Sequence, residues 1–447
     1  MPQSDSPGPA LRTVHIPPQK YECSQCGKTE RLSLCICREL AYCSIACQRH
    51  HWKTIHKPSC TGKPDVIDLV SINPLFAMLV ESCHLDAAKP VHPALNHTIT
   101  NSPNPSIVAD TLPNGAGNAR LVVLGDSIPI SHAEKCSEVW WPTASSAEVR
   151  YRLQHRIVRE GYLLSILTAL CVGVVSEIYT ATNEGAASAS GFPRRAMQLK
   201  YKTSPVVDFG IIKGKVEVLD HQKLAYYLDG DVIKGQDPND HYWLYFTTFK
   251  GEEVFLDYGA STFTFTMNVE TKDYRQPILP PVNYAPAYLR GRQHTQYTLN
   301  LYEPLRRFSF LRDDVLCPLV AQCVVRPPNP SSLLAIWKIM DCLAGRECTS
   351  TEKMLANQWA TYHCHALRSI LGDPQRSWTK WPETPRSSFQ FGPEFDSGSW
   401  PADSDTAAWR QLEKLNQRYN RGEITKAAYA IERQAWSRAR RPSDRNL

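Results

Sequence analysis

The sequence predicts an α+β protein with a small metal-binding module near its N-terminus. Seven of its fifteen cysteines fall between positions 23 and 60, and six of them form closely spaced pairs that are typical of zinc ligands. Aromatic and β-branched runs at 242–249 and 253–258 flank a short turn that contains Gly251, and this pattern predicts an antiparallel hairpin. Helical patterns at 145–178 and 331–371 lie on either side of the strand-rich stretch, so one domain is expected to hold both kinds of element.

Shifts in composition divide the 447 residues into five segments. Residues 1–20 contain Pro and Ser but no apolar pattern, and we predict a disordered leader there. The other boundaries place the metal-binding module at 21–62, the α+β domain at 65–371, a linker rich in Trp, Pro and Ser at 373–405, and a basic helical hairpin at 406–441.

Charge is concentrated at the C-terminal end. From Ala407 to Leu447 there are ten Lys or Arg against four Asp or Glu, an excess that equals the whole net charge of +6. A nucleic-acid-binding surface needs a basic stripe elsewhere as well, so nucleic acid is disfavoured as a partner. The longest apolar run, 162–175, is shorter than the about 20 residues of a membrane-spanning helix, which predicts a buried helix and no membrane partner.

The first twenty residues lack the apolar core of a secretory signal. Clustered Cys and His residues without such a signal indicate metal binding in a reducing compartment, not a disulfide framework. We therefore expect an intracellular protein, nuclear or cytoplasmic.

Within the α+β domain, turn and cap residues mark the ends of the predicted elements. Asn73 and Pro74 are typical of a helix start, and Ser145 with Glu148 forms a capping-box pattern for a long helical region that is weakened at Gly161. Strands are predicted at 120–124, 197–202, 206–212, 216–219, 242–249, 253–258 and 261–269.

The C-terminal segment has its own helical pattern. Trp409, Leu412, Leu415 and Tyr419 recur at helical spacing before a Gly, and Thr425 can cap a second helix. The segment resembles short helical hairpins found at some C-termini. We expect it to dock on its own protein or to support self-association.

Four pairs of ligand-type residues follow one another in the N-terminal module. They are Cys23 and Cys26, Cys35 and Cys37, Cys43 and Cys47, and His56 and Cys60. Eight thiol or imidazole ligands are what two tetrahedral Zn²⁺ ions require, and this donor set suits closed structural sites. So short a segment has few apolar residues, and metal binding is therefore expected to supply most of its folding free energy.

The strings Tyr42-Cys43-Ser44, Cys47-Gln48 and Trp52 followed by His56-x3-Cys60 resemble the MYND zinc finger. This resemblance implies an interleaved arrangement in which the first and third pairs bind one zinc ion and the second and fourth pairs bind the other. Two features depart from the family pattern. The second pair is Cys-x-Cys, where the family usually has Cys-x2-Cys, and one extra residue separates Trp52 from His56. In addition, His50 and His51 lie close enough to compete as ligands, although His56 fits the family position better.

MYND fingers resemble modules that bind short Pro-containing peptides as an added strand, which makes such peptide segments of other proteins the expected partners. By family position, Gln48 and Trp52 would line the peptide groove, with Ser44 adjacent. Two alternatives stay open. Trp52 could cover the zinc core instead, and the finger could be a structural staple for the larger domain.

Catalytic alternatives rest on weaker patterns, and we assign no catalytic or cofactor-binding residue. Gly251-Glu-Glu and Tyr258 resemble a segment of SET-domain lysine methyltransferases, but the cofactor segment of that family is missing upstream. Cys171, His241 and Asp257 occur in the chain order of transglutaminase-like thiol hydrolases, although Cys171 lies in an apolar helix where its reactivity would fall.

The run from His241-Tyr-Trp to Tyr258 also resembles a group of fungal MYND-bearing proteins whose larger domain has no known activity. The favoured function is therefore a zinc-binding adaptor or regulator that recognises Pro-containing peptides through its finger. An enzyme is the alternative, with methyltransfer ahead of thiol hydrolysis.

Overall fold

The computed structural model contains both helices and antiparallel sheets, which confirms the α+β prediction. The structure describes residues 12–18, 22–58, 60, 62–100, 110–111, 117–144, 146–182, 197–263, 266–291, 302–322 and 330–390, with 415, 418, 423–425, 428–429, 431–432 and 435 near the C-terminus.

The N-terminal finger contains one two-stranded sheet and one helical segment. Strands β2 (Ser33–Leu34) and β3 (Ala41–Tyr42) pair in antiparallel fashion. Helix α1 (Ile45–His51) begins at the N-cap Ser44, whose hydroxyl accepts a hydrogen bond from the Cys47 N–H. A π-helical turn over Trp52–His56 continues α1.

A seven-stranded sheet forms the centre of the larger domain. Its strands are β4 (Asp65–Asp68), β9 (Met197–Tyr201), β10 (Ser204–Val216), β13 (His241–Thr248), β14 (Glu253–Asp257), β17 (Tyr288–Arg290) and β18 (Tyr302–Ser309). The spatial order is β17-β14-β13-β10-β9-β4, and β18 pairs with the second half of β10. The predicted hairpin at 242–258 is confirmed as β13 and β14.

Five helices pack on this sheet around the main core. They are α2 (Leu69–His84), α5 (Leu163–Ile178), α6 (Leu316–Gln322), α7 (Pro330–Ala344) and α8 (Ser350–Leu371). Every residue of α5 is buried, which confirms that the longest apolar run of the sequence is a core helix. Gly173 lets α5 approach α8 closely, because a Cβ atom there would lie 3.1 Å from the Cβ of His363.

The prediction that α2 begins at Asn73 and Pro74 is wrong. The helix begins earlier, at Leu69, and the carboxylate of Asp68 accepts a hydrogen bond from the Val70 N–H as the cap. Pro74 lies inside the helix, and the Asn73 side chain accepts a hydrogen bond from the Tyr258 hydroxyl instead of capping.

A second, five-stranded sheet with its own core lies beside the first. Its strands are β5 (His97–Ile99), β6 (Asp110–Thr111), β7 (Asn118–Ser127), β11 (Leu224–Leu228) and β12 (Asp231–Lys234), in the order β12-β11-β7-β5 with β6 on β7. Helices α3 (Ser131–Glu134) and α4 (Ala147–Val158) pack against this sheet and contribute to its core. Trp140 and Trp141 are fully buried in this core.

The predicted long helical region is broken around Gly161, because α4 ends at Val158 and α5 begins at Leu163. The N-cap of α4 is Ser146, whose hydroxyl accepts from the Val149 N–H, while Ser145 lies outside the described residues. Within the described part of the chain, no single helix has the length and apolarity to cross a membrane, and α4 and α5 meet those criteria only as a pair that is bent by 69°.

Three smaller groups of residues complete the fold. Strands β15 (Thr266–Glu270), β16 (Tyr284–Pro286) and β19 (Ser387–Gln390) form one sheet, and β1 (Arg12–Val14) pairs with β8 (Thr180–Thr182). Single 3₁₀ turns cover Pro93–Leu95, Asp220–Gln222, Ala260–Phe263, Lys272–Tyr274 and Ser377–Lys380.

Two predicted segment assignments need correction. The leader at 1–20 is not wholly disordered, because β1 is paired and the following His15 is buried with its ring nitrogen 3.0 Å from the Glu39 carboxylate. The linker at 373–405 begins with ordered structure, since Trp378 is buried and β19 pairs with β15.

The predicted hairpin at 406–441 falls largely outside the described residues. Among the few that are described, the Thr425 hydroxyl accepts a hydrogen bond from the Ala428 N–H, as a helix cap does. Arg418 and Glu432 form an ion pair 3.1 Å long. Self-association through this segment stays a prediction.

Candidate metal centres and the peptide-facing surface

Four cysteines from two separate stretches of the finger meet at the first candidate metal centre. Cys23 and Cys26 come from the loop before β2, while Cys43 and Cys47 come from the start of α1. The Sγ atoms of Cys26 and Cys43 are 3.5 Å apart, those of Cys43 and Cys47 3.6 Å, and those of Cys26 and Cys47 3.8 Å.

The second candidate centre joins Cys35, Cys37, His56 and Cys60. The Nε2 atom of His56 lies 3.3 Å from the sulfur atoms of both Cys35 and Cys37. The Arg38 N–H donates a hydrogen bond over 2.9 Å to the Cys35 carbonyl oxygen, which closes a tight turn over the Cys-x-Cys pair, and both of its sulfur atoms face His56. The unusual spacing of this pair is therefore accommodated by the backbone.

The spacing of these donor atoms fits tetrahedral zinc. A Zn–S bond of about 2.3 Å places two sulfur ligands about 3.8 Å apart at a tetrahedral angle. The observed sulfur separations lie close to this value, and in each group the four ligand atoms lie within 4.8 Å of one another. The grouping is the interleaved one, and the two clusters fit two zinc ions.

The chemistry of the donors also favours a cation. Hydrogen bonding with Cys26 raises the pKa of Cys43 to about 12, and burial raises the pKa of Cys37. A bound zinc ion would lower the pKa of these cysteines, because zinc is ligated by the thiolate form. At each centre zinc would be held by all four side chains, which leaves no open position for catalysis.

The neighbouring histidines do not compete for the metal. The Nδ1 atom of His51 lies 2.9 Å from the Tyr42 hydroxyl, so that ring is engaged in a hydrogen bond, and His50 is exposed. The additional residue between Trp52 and His56 is absorbed by the π-helical turn, in which the Lys57 N–H donates to the Trp52 carbonyl oxygen over 3.1 Å. This wider turn brings His56 to the second centre.

One side of the finger docks on the larger domain. Ala41 of β3 packs with Val207 and Phe249, and all three are buried. The Gln198 side chain donates a hydrogen bond over 3.4 Å to the carbonyl oxygen of Cys37, which is fully buried. The finger is thus joined to the central sheet beside its second metal centre.

The three residues predicted to face a peptide lie at four-residue intervals along α1 and its π-helical extension, and they share a face. Each also has a contact inside the finger. Ser44 caps α1, the Gln48 amide lies 4.0 Å from the Cys35 sulfur, and the Trp52 ring packs edge-on against His56 at 5.5 Å between centroids. Ser44 is exposed, and Gln48 and Trp52 are half-buried.

The residues considered for thiol chemistry are only partly brought together. The Nε2 atom of His241 lies 2.8 Å from Oδ2 of Asp257, but the two side chains are 0% and 2% exposed. Cys171 is fully buried in α5, where burial raises the pKa of its thiol well above the ordinary value, and among the described contacts it meets neither partner. The pair is sealed from solvent, and the thiol is in its unreactive form.

The segment that resembles a methyltransferase is the turn of the β13–β14 hairpin. Gly251 has a positive φ of 75°, as the turn requires, and the Glu252 N–H donates to the Thr248 hydroxyl. Glu253 forms an ion pair with Arg307 of β18. These contacts give the acidic residues a structural role in the hairpin.

Comparison with known proteins agrees with this geometry. Residues 23–60 match the family model described as MYND finger. A 41-residue stretch is 46% identical to ubiquitin carboxyl-terminal hydrolase 19 of Arabidopsis thaliana, which corresponds to 9% of this chain and 6% of that protein, and the likeness is confined to the finger. No solved structure matches the chain.

Geometry and comparison together define a protein with a zinc-binding MYND finger, a module of the protein-interaction class. The finger covers less than a tenth of the chain, and the matches leave the α+β domain unassigned.

Proposed function

We propose that this protein is an adaptor or regulator whose finger binds Pro-containing peptide segments along the face formed by Ser44, Gln48 and Trp52. The observation that carries the proposal is the two-sided arrangement of the finger. One side is buried against the central sheet through Ala41, while the other presents a half-buried Trp52 to solvent.

The exposed face has the composition of a peptide-binding surface. Ile45, adjacent to Ser44 on α1, is 68% exposed, and Ile55 in the π-helical turn is 62% exposed. A half-buried Trp offers a flat apolar surface to a proline ring, and the Gln48 amide can hydrogen-bond to a peptide backbone. Proline-containing segments are partly preorganised, which lowers the entropy lost on binding.

Because Trp52 also packs against His56, a test must separate peptide binding from zinc binding. The binding of fluorescein-labelled Pro-containing peptides is measured by anisotropy, and the zinc content of each variant is measured by elemental analysis. Trp52→Ala and Gln48→Ala are expected to weaken binding at least about tenfold, as loss of an interface anchor does, with two zinc ions retained.

The matched control is Lys53→Ala, which removes an exposed neighbour of Trp52 and should leave both affinity and zinc content unchanged. Peptide binding that is unaffected in a zinc-loaded Trp52→Ala protein would refute the proposed groove. Loss of zinc in Trp52→Ala would point to a core role for this ring, and Gln48→Ala would then decide the question.

A further inference from the structure

A cavity of 760 Å³ lies where the two hydrophobic cores of the larger domain meet. Leu164 of the main core and Ile157 of the second core both line it. Its walls come from the end of α2, the break between α4 and α5, the end of β12 and the start of α8. Both its volume and its position between two packed units are typical of small-molecule sites.

Titratable side chains converge on one part of this cavity. Glu160 is 6% exposed, and its Oε1 atom accepts a hydrogen bond over 2.9 Å from the buried Tyr226 hydroxyl. The Nε2 atom of His92 lies 3.8 Å from Oε2 of the same carboxylate. Lys89 lines the cavity beside them.

The protonation of His92 follows from its hydrogen bonds. Its Nδ1 atom accepts from the Ala94 N–H over 3.2 Å, so the ring proton lies on Nε2, which faces Glu160. Burial lowers the pKa of His92 to about 4, and the ring is therefore neutral near pH 7.

The surroundings of Lys89 disfavour the charged form of its amine. Its Nζ atom donates to the Val158 carbonyl oxygen over 2.5 Å, and it forms no ion pair with any residue that the structure describes. Burial lowers the pKa of Lys89 to about 8, although the charge of Glu160 acts in the opposite direction. An amine with a pKa in this range is a competent nucleophile at neutral pH.

A second observation points to a ligand. His84 lines the same cavity and is 5% exposed, and neither of its ring nitrogens has a hydrogen-bond partner among the described residues. A buried imidazole without partners is costly, so a group that accepts its N–H bond would stabilise this site. A ligand oxygen supplies such an acceptor.

We propose that this cavity binds a small aldehyde or ketone and that Lys89 captures the carbonyl carbon as an imine. The lone pair of the neutral amine forms the N–C bond, and the C=O bond breaks. Both amine hydrogens leave with the oxygen as water, and the C=N bond remains, so no oxidant or reductant is needed. Glu160 and His92 are the cavity groups that transfer protons between nitrogen and oxygen.

The test uses pyridoxal as the carbonyl probe and sodium borohydride as the reductant that traps the imine. Peptide mass spectrometry then gives the capture rate at each lysine. Lys234 is the internal control, because it lines the same cavity but is exposed. At pH 7.5 capture at Lys89 should be at least about tenfold faster than at Lys234, since a lysine with a pKa near 8 has far more neutral amine.

Four further results are expected. The rate at Lys89 levels off as pyridoxal concentration rises, urea unfolding removes the difference from Lys234, and Lys89→Arg loses the adduct while keeping its circular dichroism spectrum. Ala87→Trp, at an exposed position on the cavity wall, should slow capture at Lys89 but not at Lys234. Equal rates at the two lysines, or a rate that stays linear in pyridoxal concentration, would overturn the proposal.

Discussion

The Gln198 side chain donates a hydrogen bond to the carbonyl oxygen of Cys37, which links a strand of the central sheet directly to a zinc ligand. Cys37 is fully buried, and the neighbouring Ala41 packs on Val207 and Phe249. The finger is therefore both a module with one solvent-facing side and a structural part of the larger domain.

Removal of zinc should unfold the finger and increase local opening of the strands that contact it. Strong chelation is expected to release two zinc ions per chain and to unfold residues 22–60, because metal binding supplies most of the folding free energy of so small a unit. Hydrogen–deuterium exchange should rise in the finger and in the strand segments around Gln198 and Val207. The buried helix α5 should keep its protection and serves as the internal control. Unchanged exchange in the finger after complete zinc loss would contradict the assignment of the two metal centres.

The metal ligands could be predicted from sequence because the information is local. Each ligand pair lies within one turn or one helical start, and the donor types alone specify tetrahedral zinc. The π-helical turn from Trp52 to His56 could not be predicted from local sequence. It accommodates the extra residue so that His56 reaches its metal centre, and this requirement comes from the three-dimensional position of the metal. The roles of Ser44 as a cap and of Gln48 as a neighbour of Cys35 likewise depend on the three-dimensional structure.

The larger domain was predictable only where its contacts are short-range. The β13–β14 hairpin and the buried helix α5 have strong local patterns, and both are confirmed. The parallel pairing of β7 with β11 joins residues about a hundred positions apart, and no local pattern encodes such a partner. The start of α2 was misplaced because Asn73-Pro74 has the form of a helix start, whereas Asp68 is the actual cap.

The site around Lys89 carries no sequence motif. Its members come from the loop after α2, the α4–α5 break and β11. A lysine, a histidine, a glutamate and a tyrosine that are so far apart along the chain form no recognisable sequence pattern. Only burial and proximity distinguish them from ordinary surface residues.

Gly210 should be the most sensitive glycine of the central sheet. A Cβ atom at this position would lie 1.9 Å from the Phe308 carbonyl oxygen of β18, so Gly210→Ala forces two backbones apart. We expect a loss of about 3 kcal/mol in the free energy of unfolding, at the upper end of overpacking costs. Urea denaturation followed by circular dichroism measures it.

Gly173→Ala is the matched comparison, because its added Cβ would meet side-chain atoms of His363 and Leu367 at 3.1 and 3.2 Å, not a backbone carbonyl. The gain in helix propensity of about 1 kcal/mol partly offsets this crowding. Equal losses for the two variants would show that the approach of β18 to β10 is not the constraint.

Acid should destabilise the fold through His363, which packs between α2 and α5. Burial lowers its pKa to about 4, so the ring stays neutral in the folded state until the pH falls to that value. The unfolded chain binds a proton below its ordinary pKa of about 6.5. Between these limits the unfolded state holds more protons, and the free energy of unfolding decreases as the pH falls, by about 3 kcal/mol in all.

This pH effect can be isolated by substitution. His363→Gln keeps a donor for the Leu79 carbonyl oxygen but cannot titrate, so its stability should change less between pH 6.5 and 4 than that of the unsubstituted protein. His365→Gln, at an exposed position on the same helix, should leave the pH dependence unchanged. Identical pH profiles for all three proteins would remove His363 as the cause.

Asp257 should contribute more to stability than any surface carboxylate, because four donors converge on it. Its Oδ2 atom accepts from the Tyr302 hydroxyl and lies 2.8 Å from Nε2 of His241, and its Oδ1 atom accepts from the Gly259 and Ala260 N–H groups. Burial opposes the ionisation of Asp257, but His241 and these hydrogen bonds hold its pKa below the ordinary value. The carboxylate therefore stabilises the fold above pH about 4, and this contribution is lost as the pH falls through the lowered pKa.

Two substitutions at Asp257 separate hydrogen bonding from charge. Asp257→Ala leaves all four donors without an acceptor, and we expect a loss of about 3–5 kcal/mol. Asp257→Asn keeps an oxygen for the two backbone N–H groups, and its amide can donate to His241 if the ring proton moves to Nδ1, which has no hydrogen-bond partner among the described residues. Asn should therefore cost clearly less than Ala in urea denaturation at pH 7. An Asp257→Ala loss below about 1 kcal/mol, the scale of a single exposed hydrogen bond, would show that this buried network does not hold β13, β14 and β18 together.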